Sequence, residues 1–264
     1  MPDLIVNKKR YAVKGILFDK DGTLLNFISL WGSWSESLYR HYANQLPADI
    51  APLSELWGIV HDDRGHVSDY QRSGPLAMGS IHDLVATLAW QGYRLGLSWG
   101  DSIRLAWESK AFADREMEQL RPAYPLPGIM DLLQQCHEHG LLMGIVTADE
   151  TAEAIKHMKW AGMYRYFQVI LGHDSVERGK PHPDMVEQAC RVLGLAPHEV
   201  AVIGDTNGDM QMGNAAGALV TIGLGSAATS AADGELLPDA KVIIASYAQI
   251  HVEASLSSIP TTTV

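Results

Sequence analysis

Residues 15–23 read GILFDKDGT, a short apolar run that stops at two aspartates, a lysine and a turn. An apolar run of this kind, bounded by charged residues, is typical of a strand buried on both faces. Asp19 and Asp21 are separated by one residue, so in extended backbone their side chains point to the same side. Two such carboxylates repel unless a cation lies between them, and hard oxygen ligands are those that Mg²⁺ prefers. The stretch therefore predicts a buried strand that ends in a cation-binding carboxylate pair, with a solvated turn as the alternative.

The pattern of short strands joined by helices recurs along most of the chain. Strands without polar alternation that are connected by helices imply a parallel sheet covered on both faces, so we expect an α/β fold. The predicted strands are Gly15–Asp19, Leu142–Thr147, Val169–Asp174, Val200–Asp205, Leu219–Leu224 and Lys241–Ser246. The predicted helices are Gly128–His139, Glu150–Gly162, Pro183–Gly194 and Asp209–Gly217.

Residues 28–117 have a different composition, because they hold six of the seven tryptophans. Apolar residues recur there at intervals of three to four, which favours amphipathic helices. A polar, glycine-containing segment at 62–80 is interpreted as a loop. We therefore expect an all-helical domain at 28–117, inserted into a core domain formed by residues 1–27 and 118–264. The Ser/Thr-rich end, residues 255–264, is expected to fray.

The charge balance and the cysteine content exclude several classes of protein. The chain has 264 residues with 20 basic and 31 acidic side chains, which gives a formal net charge of −11. This balance disfavours nucleic acid as a partner, because phosphate backbones bind basic surfaces. No apolar run is long enough to predict a membrane span, and the first residues lack the apolar stretch of a secretory signal. Cys136 and Cys190 lie far apart, as expected of thiols in a reducing compartment, so we expect a soluble cytoplasmic protein.

Polar side chains follow several predicted strands at the point where each strand ends. Thr147 ends the second strand, and Lys180 follows the third. Asp205 ends the fourth strand, and Asp209 comes four residues later. Ligands of open α/β sheets bind outside the carboxyl ends of the strands, so we expect these groups to meet Asp19 at one edge. Taken one at a time, the threonine and the later aspartates could instead cap helices, and the lysine could be a solvated surface residue.

Four segments together carry a recognisable signature. In chain order they are FDKDGTLL (18–25), IVTADE (145–150), GKPHPDM (179–185) and VIGDTNGDM (202–210). They resemble, in the same order, the four motifs of the haloacid dehalogenase superfamily of phosphohydrolases. The resemblance implies a Rossmann-like α/β core with an inserted helical cap of the C1 type at 28–117. Within the superfamily, the chain is similar to phosphoglycolate phosphatases.

The resemblance implies a role for each residue at a matching position. Asp19 would be the nucleophile that forms an aspartyl-phosphate, and Asp21 would be the general acid and then the general base. Thr147 and the backbone at Ala148 would hold the phosphoryl oxygens, and Lys180 would neutralise the charge that develops on them.

A Mg²⁺ site is also implied by the resemblance. Asp19 and Asp205 would bind the ion together with the backbone carbonyl of Asp21. Asp209 would support Lys180 or the water shell of the ion. In the predicted insert, the segment 70–80 contains Arg72, whose guanidinium could bind a carboxylate or a second phosphate of the substrate. A solvated loop arginine is the alternative for Arg72.

The second aspartate narrows the expected chemistry, since the resemblance implies that dehalogenases and phosphonatases of the superfamily lack it. We expect a Mg²⁺-dependent phosphoric monoester hydrolase acting on a small phosphorylated metabolite, such as phosphoglycolate or a sugar phosphate. Asn26 and Phe27 replace the Asp-Ser of many phosphoglycolate phosphatases, which weakens the case for that particular substrate. A phosphosugar mutase of the β-phosphoglucomutase type and a non-catalytic phospholigand-binding protein are the alternatives. The sequence sets no oligomeric state.

Overall fold

The structure, a computed structural model, describes residues 2–225 and 236–254. The tail expected to fray, 255–264, lies outside these residues. The chain divides into two compact units, which we call the core unit (1–25 and 125–264) and the insert unit (26–124). The insert unit extends beyond the expected end at residue 117 because its last helix continues to Leu120.

Strands and helices alternate along most of the described chain. The strands are β1 (Asp3–Val6), β2 (Lys9–Ala12), β3 (Gly15–Phe18), β4 (Ile59–His61), β5 (Val67–Tyr70), β6 (Leu142–Val146), β7 (Val169–Leu171), β8 (Val200–Gly204), β9 (Val220–Leu224), β10 (Val242–Ile244) and β11 (Ile250–Glu253). The helices are α1 (Ser33–Ala43), α2 (Leu53–Leu56), α3 (Pro75–Met78), α4 (Ile81–Arg94), α5 (Trp99–Leu120), α6 (Ile129–Glu138), α7 (Thr151–Trp160), α8 (Asp184–Leu193) and α9 (Asn207–Ala216). A π-helical turn at Ile28–Gly32 precedes α1, and single 3₁₀ turns lie at Tyr164–Tyr166, His173–Ser175, Pro197–Glu199 and Tyr247–Gln249.

The main sheet of the core unit contains the strands that the sequence predicts. Within the described residues it has six strands in the order β10-β9-β8-β3-β6-β7, and every neighbouring pair is parallel. The first predicted strand, β3, lies between β8 and β6, where Phe18 is opposite Ile203 and Ile145. All four residues of β3 are buried, because helices cover both faces of a parallel sheet. The predicted α/β parallel-sheet fold is confirmed.

A second, smaller sheet of the core unit was not predicted. It has the order β11-β1-β2, and both of its pairs are antiparallel. Asn7 and Lys8 join β1 to β2 with φ values of 48° and 67°, the left-handed backbone of a two-residue hairpin turn. Three of the four residues of β2 are exposed, so the sequence lacks the apolar run that marks a buried strand.

The insert unit is mostly helical, with α1 and α4 packed against the long helix α5. It also contains an antiparallel hairpin, β4 paired with β5, so the expectation of an all-helical insert is wrong. The hairpin falls partly in the segment interpreted as a loop. Its turn is made by Asp62, whose Oδ1 accepts hydrogen bonds from the backbone N–H groups of Arg64 and His66. These strands are short and largely exposed, so no apolar alternation distinguishes them from a polar loop.

Across the two described ranges, 2–225 and 236–254, no helix is both long enough and apolar enough to cross a membrane.

Candidate active site

The carboxyl ends of three neighbouring strands bring the predicted site residues to one edge of the main sheet. Asp19 follows β3, Thr147 follows β6 and Asp205 follows β8. The backbone continues the sheet pairing past the last strand residues, since the Asp19 N–H donates to the carbonyl of Ile203 at 2.8 Å. The Thr147 N–H likewise donates to the carbonyl of Leu171 at 3.0 Å. The pairing of the strands therefore fixes the backbone positions from which the side chains of Asp19 and Thr147 extend.

Three carboxylates and one ammonium form the centre of the site. Asp19, Asp205 and Asp209 are buried, and one carboxylate oxygen of each lies within 4.8 Å of the others. The Nζ atom of Lys180 lies 2.5 Å from Oδ1 of Asp19 and 2.6 Å from Oδ1 of Asp209. The sequence brings Lys180 here from the segment between β7 and α8. Four residues predicted from strand ends thus come together.

The electrostatics of this cluster are strongly unbalanced towards negative charge. Burial, reinforced by the carboxylates of Asp209, Asp205 and Asp21, raises the pKa of Asp19 well above its usual value, although Lys180 acts in the opposite direction. Burial opposes the charged form of Lys180, but its ion pairs with Asp19 and Asp209 raise the lysine pKa above its usual value. The Lys180 ammonium contacts two of the three buried carboxylates, and a further cation would relieve the repulsion among all three.

The donor set fits a hard dication. Three buried carboxylates that can each offer one oxygen within 4.8 Å of the others are the type of ligand that Mg²⁺ takes, usually with several waters retained. The described part of this cluster contains no histidine or thiolate, which would favour a softer metal.

A tight turn after β3 carries Asp21 and Thr23. Gly22 has φ of 81°, a left-handed conformation that glycine adopts without steric penalty. Thr23 is fully buried, and its Oγ1 lies 3.4 Å from Oδ1 of Asp205. The hydroxyl of Tyr247 donates to the backbone carbonyl of Thr23 at 2.8 Å. Burial, with Asp205 and Asp19 nearby, raises the pKa of Tyr247 well above its usual value, so the hydroxyl keeps its proton.

Asp209 is held in place by the start of α9. Its Oδ2 accepts hydrogen bonds from the N–H and the hydroxyl of Thr206, at 3.1 and 2.6 Å, which is a capping-box arrangement. Asp209 is thus the third residue of the capping box, whose N-cap residue is Thr206, and the same carboxylate also contacts Lys180 through its other oxygen. The structural and the electrostatic roles of this aspartate do not exclude each other.

Thr147 and Ala148 lie in the loop between β6 and α7. Thr147 is buried, and its Oγ1 accepts a hydrogen bond from the N–H of Asp149 at 3.2 Å. Ala148 is exposed, which leaves the backbone at this point open to a ligand. The helix α7 begins only at Thr151, so Thr147 is not its N-cap residue.

A buried charged cluster beside Asp21 was missed by sequence reasoning. The fully buried ammonium of Lys20 lies 2.7 Å from Oδ1 of Asp21 and 3.1 Å from Oδ2 of Asp149. Nδ1 of His157 lies 3.1 Å from the same Nζ atom. One feature of the sequence could have indicated this cluster: a lysine stands between two aspartates directly after a buried strand, where a surface lysine is not expected.

Arg72 lies in the insert unit, in the segment between β5 and α3. Its Nη1 donates to Oδ1 of Asp69 and to the carbonyl of Tyr70, both at 2.9 Å. The guanidinium also stacks 3.9 Å from the centre of the Tyr70 ring. These contacts orient the arginine within its own unit, and its contribution to substrate binding stays a prediction.

Comparison with known proteins places these features in a family. The family model of haloacid dehalogenase-like hydrolases matches residues 13–217. The N-acetylmuramic acid 6-phosphate phosphatase of Pseudomonas aeruginosa is 30% identical over 210 residues, which are 79% of this chain and 80% of that protein. The phosphoglycolate phosphatase of Thiobacillus denitrificans is 37% identical over 93 residues, 35% of this chain and 41% of that protein. This second match thus spans less than half of the relative's length.

The fold has solved counterparts as well. The β-phosphoglucomutase of Clostridium difficile superimposes with a TM-score of 0.63 over 90% of this chain and 92% of that one, at 19% identity. At this identity the likeness concerns the fold alone. Since the family model covers most of the chain, and the Pseudomonas relative aligns over 80% of its own length, the chain belongs to the haloacid dehalogenase-like hydrolase family.

Proposed function

We propose that the protein is a Mg²⁺-dependent phosphatase that hydrolyses a small phosphorylated metabolite through an aspartyl-phosphate. The observation that carries this proposal is the contact between Lys180 and Asp19 inside the buried carboxylate cluster, with Asp21 at the next turn. A carboxylate beside an ammonium, with a second carboxylate close by, supplies a nucleophile, a charge-stabilising group and a proton donor for phosphoryl transfer to a carboxylate.

The first half of the reaction transfers the phosphoryl group to the enzyme. A carboxylate oxygen of Asp19 forms a bond to phosphorus, and the bond from phosphorus to the leaving oxygen breaks. Asp21 gives its proton to that oxygen, so the product leaves as a neutral alcohol. Lys180 stabilises the negative charge that spreads over the phosphoryl oxygens, and it keeps Asp19 oriented through the 2.5 Å contact.

The second half regenerates the enzyme. Asp21, now a carboxylate, removes a proton from a water molecule whose oxygen bonds to phosphorus. The bond from phosphorus to Asp19 breaks, and inorganic phosphate leaves. The hydroxyl of Thr147 and the backbone at Ala148 bind the phosphoryl oxygens during both halves, and exclusion of bulk water strengthens each of these interactions.

Asp19, Asp205 and the backbone carbonyl of Asp21 would hold the Mg²⁺ ion, and Asp209 would support its water shell or Lys180. When bound, the ion supplies charge neutralisation at the phosphoryl oxygens and at the attacking carboxylate. The three carboxylates fit this role, because they are buried together and each can offer one oxygen within 4.8 Å of the others.

Phosphoglycolate and sugar phosphates are the proposed substrate class. The Pseudomonas relative that aligns over 80% of its length is named for a sugar 6-phosphate, and the Thiobacillus relative for phosphoglycolate. N-acetylmuramic acid 6-phosphate and phosphoglycolate each carry a carboxylate. Arg72 could bind such a carboxylate if it gave up its hydrogen bond to Asp69.

Phosphate release measured with a panel of phosphorylated metabolites tests the proposal. The panel contains N-acetylmuramic acid 6-phosphate, 2-phosphoglycolate, pyrophosphate and several hexose phosphates, each with Mg²⁺ and with EDTA. We expect Mg²⁺-dependent release of phosphate equal to substrate consumed, and loss of turnover in Asp19→Asn. Formation of an isomeric phosphate without phosphate release would favour a phosphosugar mutase. Tight binding of a phosphorylated metabolite with no conversion would favour a non-catalytic phospholigand-binding protein.

A further inference from the structure

Lys20 occupies an unusual environment for a lysine. It stands between Asp19 and Asp21 in the sequence, and its side chain is fully buried. Burying an ammonium is expensive unless partners replace its water shell. An apolar residue of similar volume would fill this position without that penalty, since buried ion pairs are often no more stabilising than apolar replacements. A contribution to the free energy of folding therefore does not explain why a lysine occupies this position.

The partners of Lys20 come from three separate segments of the core unit. Oδ1 of Asp21 lies 2.7 Å from Nζ, in the turn after β3. Oδ2 of Asp149 lies 3.1 Å away, in the loop after β6. Nδ1 of His157 lies 3.1 Å away, on α7, and this imidazole is itself fully buried. One ammonium therefore links the turn that carries Asp21 to the neighbouring loop and helix.

Lys20 and Asp149 stabilise each other's charged form. Burial opposes ionisation of Lys20, but Asp21 and Asp149 raise the lysine pKa above its usual value, so Lys20 is an ammonium. Burial likewise opposes ionisation of Asp149, but Lys20 and His157 hold its pKa well below the usual range. The groups around the imidazole are Lys20 and Asp149 at Nδ1 and Glu153 at 3.9 Å from Nε2.

Only one oxygen of Asp21 is engaged by this ammonium. Oδ1 accepts the Lys20 hydrogen bond, while Asp149 and His157 contact the same Nζ atom from other segments. A carboxylate that is held by one oxygen presents its other oxygen in a fixed direction. Proton transfer depends steeply on such geometry.

We propose that Lys20, anchored by Asp149 and His157, is a positioning residue for Asp21: it binds Oδ1 and so dedicates Oδ2 to proton exchange with the leaving oxygen and the attacking water. This inference rests on the proposed function, because it assigns Asp21 the acid–base role. It gives a role to Lys20 and Asp149, which lie within the quoted segments without an assigned function, and to His157, which lies outside them.

The test compares two substrates that differ in their need for a proton. The alcohol of 2-phosphoglycolate is a poor leaving group that requires Asp21, whereas the acetate of acetyl phosphate departs without protonation. The parameter is kcat/KM, which covers steps up to departure of the leaving group. We expect Lys20→Met to lower kcat/KM for 2-phosphoglycolate at least about tenfold more than for acetyl phosphate. A merely structural role would lower both by the same factor.

A double-mutant cycle makes the assignment specific. In an Asp21→Asn background, Lys20→Met should change kcat/KM for 2-phosphoglycolate by less than about twofold, because a residue that acts through Asp21 has nothing left to position. The control is Lys14→Met, at a half-exposed lysine whose partner is Glu199, and it should show no selectivity between substrates.

Variants of His157 cover the case in which Lys20→Met does not fold. His157→Leu keeps the ammonium but removes one anchor, so the same selective loss is expected in smaller measure. His157→Gln should retain part of the activity that His157→Leu loses, because the amide oxygen of glutamine can accept a hydrogen bond from Lys20. Equal losses for both substrates in the Lys20 or His157 variants would overturn this inference alone. Absence of turnover of every phosphorylated metabolite in the panel by the unmutated chain would overturn the proposed function and this inference with it.

Discussion

The carboxylate of Asp209 occupies the space in which a side chain of residue 204 would lie. A Cβ atom placed on Gly204 would overlap the Cβ, Cγ and Oδ2 atoms of Asp209. Gly204 is the last residue of β8, and Asp209 is in the first turn of α9. The missing side chain thus allows the aspartate to fold back against the strand, where its Oδ1 lies 2.6 Å from Nζ of Lys180.

Gly204→Ala is predicted to displace Asp209 and, through it, Lys180. We expect kcat/KM to fall by at least about tenfold, because small displacements of positioned groups are costly to catalysis. The free energy of unfolding should fall by about 1–3 kcal/mol from overpacking. Phosphate release and urea denaturation measure the two effects. The control is Gly100→Ala on α5, where a Cβ meets nothing within 4 Å; equal effects of the two substitutions would contradict the argument.

Metal removal is predicted to abolish turnover and to lower stability. Three buried carboxylates repel in the absence of a dication, and a ligand that binds only the folded state at about a hundred times its Kd adds about 2.7 kcal/mol. EDTA should lower the thermal midpoint, and Mg²⁺ should restore it. Asp205→Asn should reduce this response, whereas Asp131→Asn, at an exposed position on α6, should not. Full turnover in EDTA would refute the metal assignment.

Tyr247→Phe is predicted to loosen the turn after β3. The substitution removes the hydroxyl that donates to the Thr23 carbonyl at 2.8 Å, and an unsatisfied buried acceptor costs about 1–3 kcal/mol. Turnover should fall as well, since this turn carries Asp21. Chemical denaturation and kcat measure the outcome. Tyr164→Phe, at a half-exposed ring, serves as the control, and a Tyr247 variant as stable and active as the control would count against this role.

The main sheet could be predicted from the sequence for a specific physical reason. The central strands β3, β6 and β8 are buried on both faces or nearly so, and such burial gives an apolar run like the one that ends at Phe18. The hairpin of the insert unit lacks this signal, because Val60 is 43% exposed and most of β5 is polar. Trp34 and Trp57 are buried, whereas Trp90 and Trp99 are about half exposed, so the tryptophan content of the insert unit does not by itself identify its core.

The candidate site likewise combines contacts that the sequence predicts with contacts that it does not. Strand ends and motif order were enough to predict that Asp19, Lys180 and Asp205 meet, since parallel strands deliver their carboxyl ends to one edge. The contacts of Lys20 with His157 and of Tyr247 with Thr23 join residues 137 and 224 positions apart. No local pattern encodes such pairings, so they emerge only from the folded chain.

Both cysteines are predicted to be unreactive in the folded protein. Burial raises the pKa of Cys136 to about 12, and burial together with Glu199 and Glu187 raises the pKa of Cys190 to about 11. Because the thiolate is the reactive species, Ellman's reagent at pH 8 should release almost no thiolate product from the native chain. The same assay in guanidinium chloride should count two thiols per chain. Rapid reaction of either thiol without denaturant would show that the local packing is open.

The N-terminal cap of α4 is predicted to make stability depend on pH in a defined direction. Oδ2 of Asp83 accepts from the Ser80 hydroxyl at 2.7 Å and from the Ser80 N–H at 2.8 Å, and these bonds hold the pKa of Asp83 below its usual value of 3.8. A lowered pKa means that the stabilisation is present above pH 3.8 and is lost as the pH falls through the folded-state value. Asp83→Asn should therefore cost about 0.5–1 kcal/mol at pH 7, measured by urea denaturation, and the difference from the unmutated chain should shrink below pH 3.8. A difference for Asp83→Asn that stays constant with pH would disprove the titration argument.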